Sequence, residues 1–111
     1  MASLFTRIIN REIPADIVYE DEHAVAFRDL NPQAPVHIII VPREEVAGVA
    51  SLPPTGDHTH LLNAAKKIAE QHGLAESGYR LVINQGEDAG QTVSHLHVHL
   101  LGGRQFSWPP G

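Results

Sequence analysis

The sequence has no cysteine, and its apolar runs are short. Without cysteine the chain forms neither a disulfide framework nor a thiolate metal site, and it suits a reducing compartment. The longest apolar run, residues 38–41, is far from the roughly 20 residues that span a bilayer. The N-terminal MASLFTRIINREIP lacks the continuous apolar region and cleavage site of a secretory signal. We therefore expect a cytoplasmic protein with no membrane partner.

Positive charge is also scarce. Eight lysines and arginines face 13 aspartates and glutamates, which gives a net charge of −5 with neutral histidines. Proteins that bind nucleic acids usually carry a basic face, so we expect no nucleic-acid partner. A small anionic ligand is still compatible with this charge, because backbone amides bind phosphate without a net positive charge.

The length of 111 residues fits one domain, which we predict to cover residues 1–111. Helical spacing of apolar residues predicts amphipathic helices over residues 4–10 and 57–72. Alternating or β-branched apolar segments predict strands over residues 17–20, 23–29, 37–43, 79–84 and 95–101. Because most connections are short, antiparallel pairing is favoured. The pattern predicts an α+β fold with a five-stranded antiparallel sheet and two helices.

Histidine is abundant, with eight in the chain. His95, His97 and His99 alternate with apolar residues in the segment HLHVHLL. Because strand side chains alternate between two faces, the three imidazoles are predicted to lie on one face and the apolar residues between them on the other. A helix would scatter the imidazoles around its axis.

Three interpretations of these histidines compete. They could form a merely histidine-rich polar face, hold a metal ion such as zinc, or catalyse attack on a phosphate. The lack of cysteine and of a carboxylate in the strand weighs against the metal site. The loop of residues 85–92 leads into the strand, where Gly90 permits positive φ and Thr92 supplies a hydroxyl. This loop favours an anion cradle beside the imidazoles.

Two further polar residues each have two interpretations. His37 opens an apolar strand, where a histidine is more often structural, yet it could orient one imidazole if its strand lies near the triad. Asp29 precedes Asn-Pro, where aspartate is often only a turn residue.

The run HLHVHLL resembles the signature of the histidine-triad family. The segments DLNPQAPVH (29–37) and NQGEDAGQT (84–92) and the ending GGRQFSWPPG are similar to the Hint branch, the purine nucleoside phosphoramidases. The resemblance extends from residue 8 to residue 111. It implies the family's fold, with the sheet extended across a homodimer. It also implies hydrolysis of the P–N bond of purine nucleoside 5′-monophosphoramidates (AMP or GMP type), without a metal or cofactor.

The resemblance also implies a role for each histidine. His97 matches the nucleophile, which would form a nucleotidyl-histidine intermediate that water then hydrolyses. His99 matches a residue that contacts the phosphate and assists the leaving group. His95 and His37 match residues that orient the nucleophile.

The remaining site residues are carried over in the same way. Asp29 matches a carboxylate that binds ribose hydroxyls, and the phosphate and ribose positions are Asn84, Gly90 and Thr92. The purine pocket is matched by Leu4, Phe5, Ile8, Phe27, Arg28 and Leu30. Trp108 matches a residue that reaches the partner's active site in the dimer.

One departure and three alternatives complete the prediction. Thr92 stands where many relatives carry serine; the hydroxyl is kept, so we expect activity to survive. A dinucleoside-polyphosphate hydrolase of the same family is an alternative that the short chain and the WPPG end disfavour. The other two alternatives are a zinc-binding interaction protein without turnover and a nucleotide-binding scaffold whose catalysis is incidental.

Overall fold

The sheet and helices follow the order that the sequence predicts. The computed structural model describes residues 2–111; Met1, part of the predicted domain, lies outside the described residues. The helices are α1 (Leu4–Ile9) and α2 (His58–Gln71). The strands are β1 (Ile17–Glu20), β2 (Ala24–Arg28), β3 (Val36–Pro42), β4 (Tyr79–Val82) and β5 (Val98–Gly102). All neighbours pair antiparallel in the order β1-β2-β3-β5-β4, which confirms the predicted fold.

The two helices cover opposite faces of the sheet. α2 packs its alanines and Leu61 against inward side chains of β2, β3 and β5 to form the larger core. α1 contributes Phe5 and Ile8 to a second, smaller cluster on the other face. α2, the longest helix, has 14 residues, and no helix within residues 2–111 is long and apolar enough to cross a membrane.

The ends of both helices follow local chemistry. The Ser3 hydroxyl caps α1 by accepting from the Thr6 amide at 3.0 Å, as Ser, Thr, Asp and Asn do at N-caps. Gly73 has φ +73 directly after the C-cap of α2, a backbone conformation that glycine adopts without a Cβ clash. Both features stand where the sequence predicts a helix end.

The histidine strand is shorter than predicted. β5 begins at Val98, so His95 and His97 precede the strand that residues 95–101 were expected to form. The register pairs Val98 with Ile40, which would place Leu96 opposite Pro42. Proline has no N–H for the ladder, and the Pro42 carbonyl accepts from the His95 ring instead. The ladder therefore ends, and the Leu96 amide bonds to Val46 O at 2.6 Å.

Side chains nevertheless keep alternating through this irregular segment. Leu96, Val98 and Leu100 are buried in the core beneath α2. The histidines between them lie on the opposite side, where Phe5 of α1 contacts the rings of His95 and His97. The predicted gathering of the three imidazoles on one face is confirmed, although only His99 belongs to a strand.

Candidate active site

The histidines border an open cleft of about 570 Å³ on the α1 face of the sheet. Residues from α1, β3, β5 and the loops after β2 and β4 form its walls. The lining residues are Phe5, Asp29, Asn31, Gln33, His37, Ile39, Asn84, Gly90, Thr92, Val93, His97 and His99. The cleft therefore brings together His37, Asp29, Asn84, Gly90 and Thr92 with two members of the triad.

The imidazoles form a continuous row. The ring centroids of His97 and His99 are 5.1 Å apart, and those of His99 and His37 are also 5.1 Å apart. His97 is 7% exposed and meets the edge of Phe5 at 4.9 Å between centroids. β3 and β5 are adjacent, which places His37 beside the triad as the resemblance implied.

His97 is oriented by the backbone two residues before it. Its Nδ1 lies 2.7 Å from the carbonyl oxygen of His95. A carbonyl only accepts, so Nδ1 carries the proton and Nε2 keeps its lone pair. This partner has no signal in the sequence, because it is a main-chain atom whose direction depends on the irregular backbone before β5.

A chain of hydrogen bonds assigns the protons of His37 and His99. The Gln33 amide donates to Nδ1 of His37 at 3.0 Å, so the proton of His37 sits on Nε2. That Nε2–H donates to Nδ1 of His99 at 2.9 Å. The proton of His99 is therefore on Nε2, the ring nitrogen that this chain leaves available as a donor.

The chain of imidazoles is neutral. Burial, and in smaller part nearby His97 and His37, lowers the pKa of His99 to about 4. Burial also lowers the pKa of His37, although Asp29 acts in the opposite direction. The Asp29 carboxylate lies 3.5 Å from Nε2 of His37. Near neutral pH, His99 offers a neutral N–H and not a cationic acid.

His95 belongs to a separate network that anchors α1. Its Nε2–H donates to Pro42 O at 3.0 Å, and its Nδ1 accepts from the Ser3 hydroxyl at 2.7 Å. Burial lowers the pKa of His95 despite the bond to Pro42. His95 is fully buried, so it reaches the cleft only through its carbonyl, which holds His97. The orienting role expected for His95 stays a prediction, and this carbonyl is the contact through which it would act.

Glu45 and Thr6 extend this network, and neither was singled out from the sequence. The Ser3 amide and the Thr6 hydroxyl donate to Glu45 Oε1 at 2.6 and 2.7 Å. These bonds lower the pKa of Glu45 to about 2. The sequence marks Ser3 only as the residue before the first predicted helix, and Glu45 stands in an exposed loop where a glutamate has no distinguishing signal.

The loop before the histidines is fixed by its own hydrogen bonds. Gly90 has φ +75 as the sequence predicts, and its amide donates to Glu87 O at 3.0 Å. Asn84 donates from Nδ2 to Ala89 O at 2.7 Å, and the Gln91 amide donates to Gly86 O. Because the Gly90 and Gln91 amides serve the loop, the exposed Thr92 hydroxyl is the donor that the loop presents to the cleft.

A second, apolar pocket of about 210 Å³ adjoins the cleft. It contains all six residues matched to the purine pocket: Leu4, Phe5, Ile8, Phe27, Arg28 and Leu30. Phe5 and Asp29 line both spaces. Arg28 lies at the exposed rim, where its Nε is 3.1 Å from the Asp16 carboxylate.

Trp108 is far more exposed than Phe5 and Phe27, the other aromatic residues predicted for the site. Its side chain is 81% exposed, and it does not line the cleft of its own chain. The tail before it is held by Arg80, which donates to Ser107 O at 3.1 Å. The role expected for Trp108 in a partner's site stays a prediction.

The cleft also contains atoms that suit a metal ion. Asp29, His37 and His99 each offer one ligand atom, and these atoms lie within 4.8 Å of one another. Binding a metal here would break the hydrogen bond between the two imidazoles. The expectation that the site works without a metal therefore stays a prediction.

Known proteins share this sequence and fold. The model of the HIT (histidine triad) domain family matches residues 10–106. An uncharacterized HIT-like protein of Synechococcus elongatus is 57% identical, with 98% of this chain and 96% of the relative covered. A 14 kDa zinc-binding protein of Zea mays is 51% identical, with 98% and 88% covered. A HIT family hydrolase from Legionella pneumophila superposes with a TM-score of 0.92 at 48% identity, with 99% and 100% covered. With its imidazole row and this agreement over nearly the whole chain, the protein belongs to the HIT family.

Proposed function

We propose that the protein hydrolyses the P–N bond of purine nucleoside 5′-monophosphoramidates, with His97 as the nucleophile. The observation that carries the proposal is the bond from Nδ1–H of His97 to the His95 carbonyl. It leaves Nε2 unprotonated, in a ring that borders the cleft. A neutral imidazole is a competent nucleophile near pH 7.

The reaction proceeds in two displacements at phosphorus. Nε2 of His97 attacks, the P–N bond breaks, and its electron pair leaves with the amine nitrogen, which takes a proton from solvent. Water then attacks the nucleotidyl-histidine, loses a proton to solvent, releases the nucleoside 5′-monophosphate and restores the free imidazole. The Nε2–H of His99 and the Thr92 hydroxyl donate hydrogen bonds to phosphoryl oxygens or to the departing nitrogen.

The two adjoining spaces suit the parts of a nucleotide. The apolar pocket accepts the purine, with Phe5 and Phe27 as its aromatic members. Asp29 stands where the pocket meets the cleft, so it receives the ribose hydroxyls. The phosphorus then reaches the imidazole row. The Arg28 guanidinium at the rim can contact the edge of the base.

A homodimer is part of the proposal. Trp108 exposes a large aromatic side chain, and tryptophan is enriched at protein–protein interfaces. A second copy of this chain is its occupant, and Trp108 then completes the partner's cleft. Replacing Trp108 by alanine is expected to change the preference between amine leaving groups more than the preference between bases.

A zinc-binding function is the second candidate. The geometry of Asp29, His37 and His99 favours it, and the Zea mays relative is named for zinc binding. A two-histidine, one-carboxylate set is a common donor set for divalent metals. Under this alternative, zinc replaces the hydrogen-bond chain and is required for any turnover.

One assay separates the candidates. The purified protein is treated with EDTA and incubated with adenosine 5′-phosphoramidate, and release of 5′-AMP is followed with His97→Ala as the control. We expect release by the parent and a loss of at least about a thousandfold in the variant. Release that requires added zinc supports the metal alternative. No release under either condition supports a nucleotide-binding scaffold. Guanosine and cytidine substrates test the purine preference.

A further inference from the structure

Two histidines and an aspartate meet outside the catalytic cleft. His23 follows the turn between β1 and β2, and Asp57 and His60 stand at the start of α2. The rings of His23 and His60 stack with centroids 3.5 Å apart and an interplanar angle of 9°. One ligand atom from each of the three residues lies within 4.8 Å of the others. None of the three lines the cleft.

The three side chains form a typical donor set for a divalent transition metal. Two imidazoles and one carboxylate bind zinc at bond lengths of about 2.0–2.2 Å. Tetrahedral bonds of that length separate the ligand atoms by about 3.4 Å. To bind one ion in their planes, the two stacked rings must turn out of their parallel arrangement, and none of the three side chains is packed in the core to prevent this.

Asp57 does not do what an aspartate at a helix start usually does. It occupies the N-cap of α2, yet its side chain makes no capping hydrogen bond. An N-cap aspartate normally accepts from an amide of the first turn. A carboxylate oxygen of Asp57 instead lies within 4.8 Å of a ring nitrogen of each imidazole.

The backbone on both sides of the cluster is fixed. Asp21 accepts from the amide of His23 at 2.7 Å, and the His23 carbonyl accepts from the Arg43 amide at 3.0 Å. His60 precedes Leu61, which packs with Ala24 in the core. The backbone that carries both imidazoles is therefore fixed, and a ligand has only to reorient the side chains.

The local charge also favours a cation. Asp57 contributes one carboxylate, and Glu22 places Oε1 3.1 Å from Nε2 of His23. A carboxylate at a ligating histidine orients the ring and increases its affinity for metal. These two negative charges outweigh the partial charge of about +0.5 at the start of α2. The nearby Arg43 guanidinium is bound to Asp21 O and Glu20.

We propose that His23, Asp57 and His60 bind a divalent transition-metal ion of the zinc type. The ion joins the β1–β2 turn to the start of α2, on the face of the sheet opposite the catalytic cleft. It adds a cross-link between two elements and takes no part in the chemistry at His97.

Zinc titration of the full chain tests the proposal. The protein is stripped with EDTA and dialysed, and zinc chloride binding is measured by calorimetry for the parent, His23→Ala, His60→Ala and Asp57→Asn. His58→Ala is the matched control, because His58 lies on the same helical turn outside the cluster. The histidine variants are expected to bind one zinc ion fewer per chain, or to bind it at least about tenfold more weakly. His58→Ala is expected to match the parent.

Two further measurements keep the test independent of folding and of the active site. In EDTA, the variants must unfold at temperatures close to the parent's and retain its phosphoramidate turnover. Zinc is then expected to raise the unfolding temperature of the parent and of His58→Ala, but to raise it less in His23→Ala and His60→Ala. Equal zinc stoichiometry and an equal thermal shift in parent and histidine variants would overturn the proposal, as would no zinc binding by the parent.

Discussion

At the scale of single residues, the cleft is organised by proton positions. Nδ1 of His97 donates to a carbonyl, and Nδ1 of His37 accepts from the Gln33 amide. Each assignment fixes the other nitrogen of the ring, so the nucleophile and the neutral donor on His99 are both set before substrate arrives. Alternation predicted which residues would meet. It could not predict their tautomers, because those depend on main-chain atoms of loops.

His99 carries a prediction about catalysis. Replacing His99 by phenylalanine keeps an aromatic ring of similar shape but removes the Nε2–H donor. We expect turnover of adenosine 5′-phosphoramidate to fall by at least about a hundredfold, the lower range for a positioned proton donor. The KM is expected to change little, and steady-state kinetics in EDTA measure both constants. A variant with unchanged kcat would show that His99 does not assist at phosphorus.

Asp29 carries a prediction about the sugar. Asp29→Asn removes the charge that we expect to receive the ribose hydroxyls, and hydrogen bonds to charged groups contribute about 1.5–3 kcal/mol. The parent should therefore prefer ribonucleoside over 2′-deoxyribonucleoside phosphoramidates. In the variant, this preference should be at least about tenfold smaller. The ratio of kcat/KM for the two sugars is the measurement. If the parent and the variant distinguish the two sugars equally well, Asp29 does not bind the ribose and serves only the structure of its loop.

At the scale of elements, the short helix α1 is hydrogen-bonded to the triad through its cap, Ser3. Ser3 caps the helix and donates to His95, while α1 supplies Phe5 to the cleft and Leu4 and Ile8 to the apolar pocket. The position of Ser3 was predictable as a cap because it directly precedes apolar residues that repeat at helical spacing. The link to His95 was not, because the two residues are 92 positions apart in the sequence.

Ser3→Ala tests this link. The loss of the cap should lower the free energy of unfolding by about 1 kcal/mol. Because α1 then docks less firmly, KM is expected to rise more than kcat falls. Ser3→Thr keeps a capping hydroxyl and is expected to restore most of both properties. Denaturant unfolding and steady-state kinetics are compared for the three proteins. Full activity and stability of the alanine variant would contradict the coupling.

Element boundaries show what sequence patterns capture. The five strands and two helices were predictable because apolar periodicity and prolines mark them clearly. β5 begins three residues late because its ladder meets Pro42, and this depends on the register between β3 and β5. A register is a property of two strands together, so neither strand's own pattern contains it.

At the scale of the whole molecule, three neutral histidines make stability depend on pH, two of them buried (His37 and His95) and one half-buried (His99). Burial lowers the pKa values of His37, His95 and His99 below the ordinary value of 6.5, for His99 to about 4. Below pH 6.5 the unfolded chain therefore binds protons that the folded chain does not. The contribution of these histidines to the free energy of unfolding therefore has its full value above about pH 6.5 and decreases as the pH falls towards 4.

His99→Gln should flatten this dependence. His99 alone accounts for about 2 kcal/mol of the loss by about pH 5, a pH above the range in which aspartate and glutamate side chains ordinarily titrate, near 4. Urea unfolding at pH 7.5, 6.5, 5.75 and 5 measures the slope for the parent and the variant. His58→Gln, at an exposed position of α2, is the control for the substitution itself. An identical slope in the parent and His99→Gln would contradict the assignment of a neutral, half-buried imidazole.

The central claim is that His97 forms a covalent bond to the nucleotide phosphorus. Rapid mixing of the EDTA-treated protein with adenosine 5′-phosphoramidate, followed by denaturation and intact-mass spectrometry, tests it most directly. We predict a transient adduct with the mass of an adenylyl group, mapped to His97 by peptide sequencing and absent in His97→Ala. Turnover without any adduct, an adduct on another residue, or an adduct that persists in His97→Ala would contradict the account.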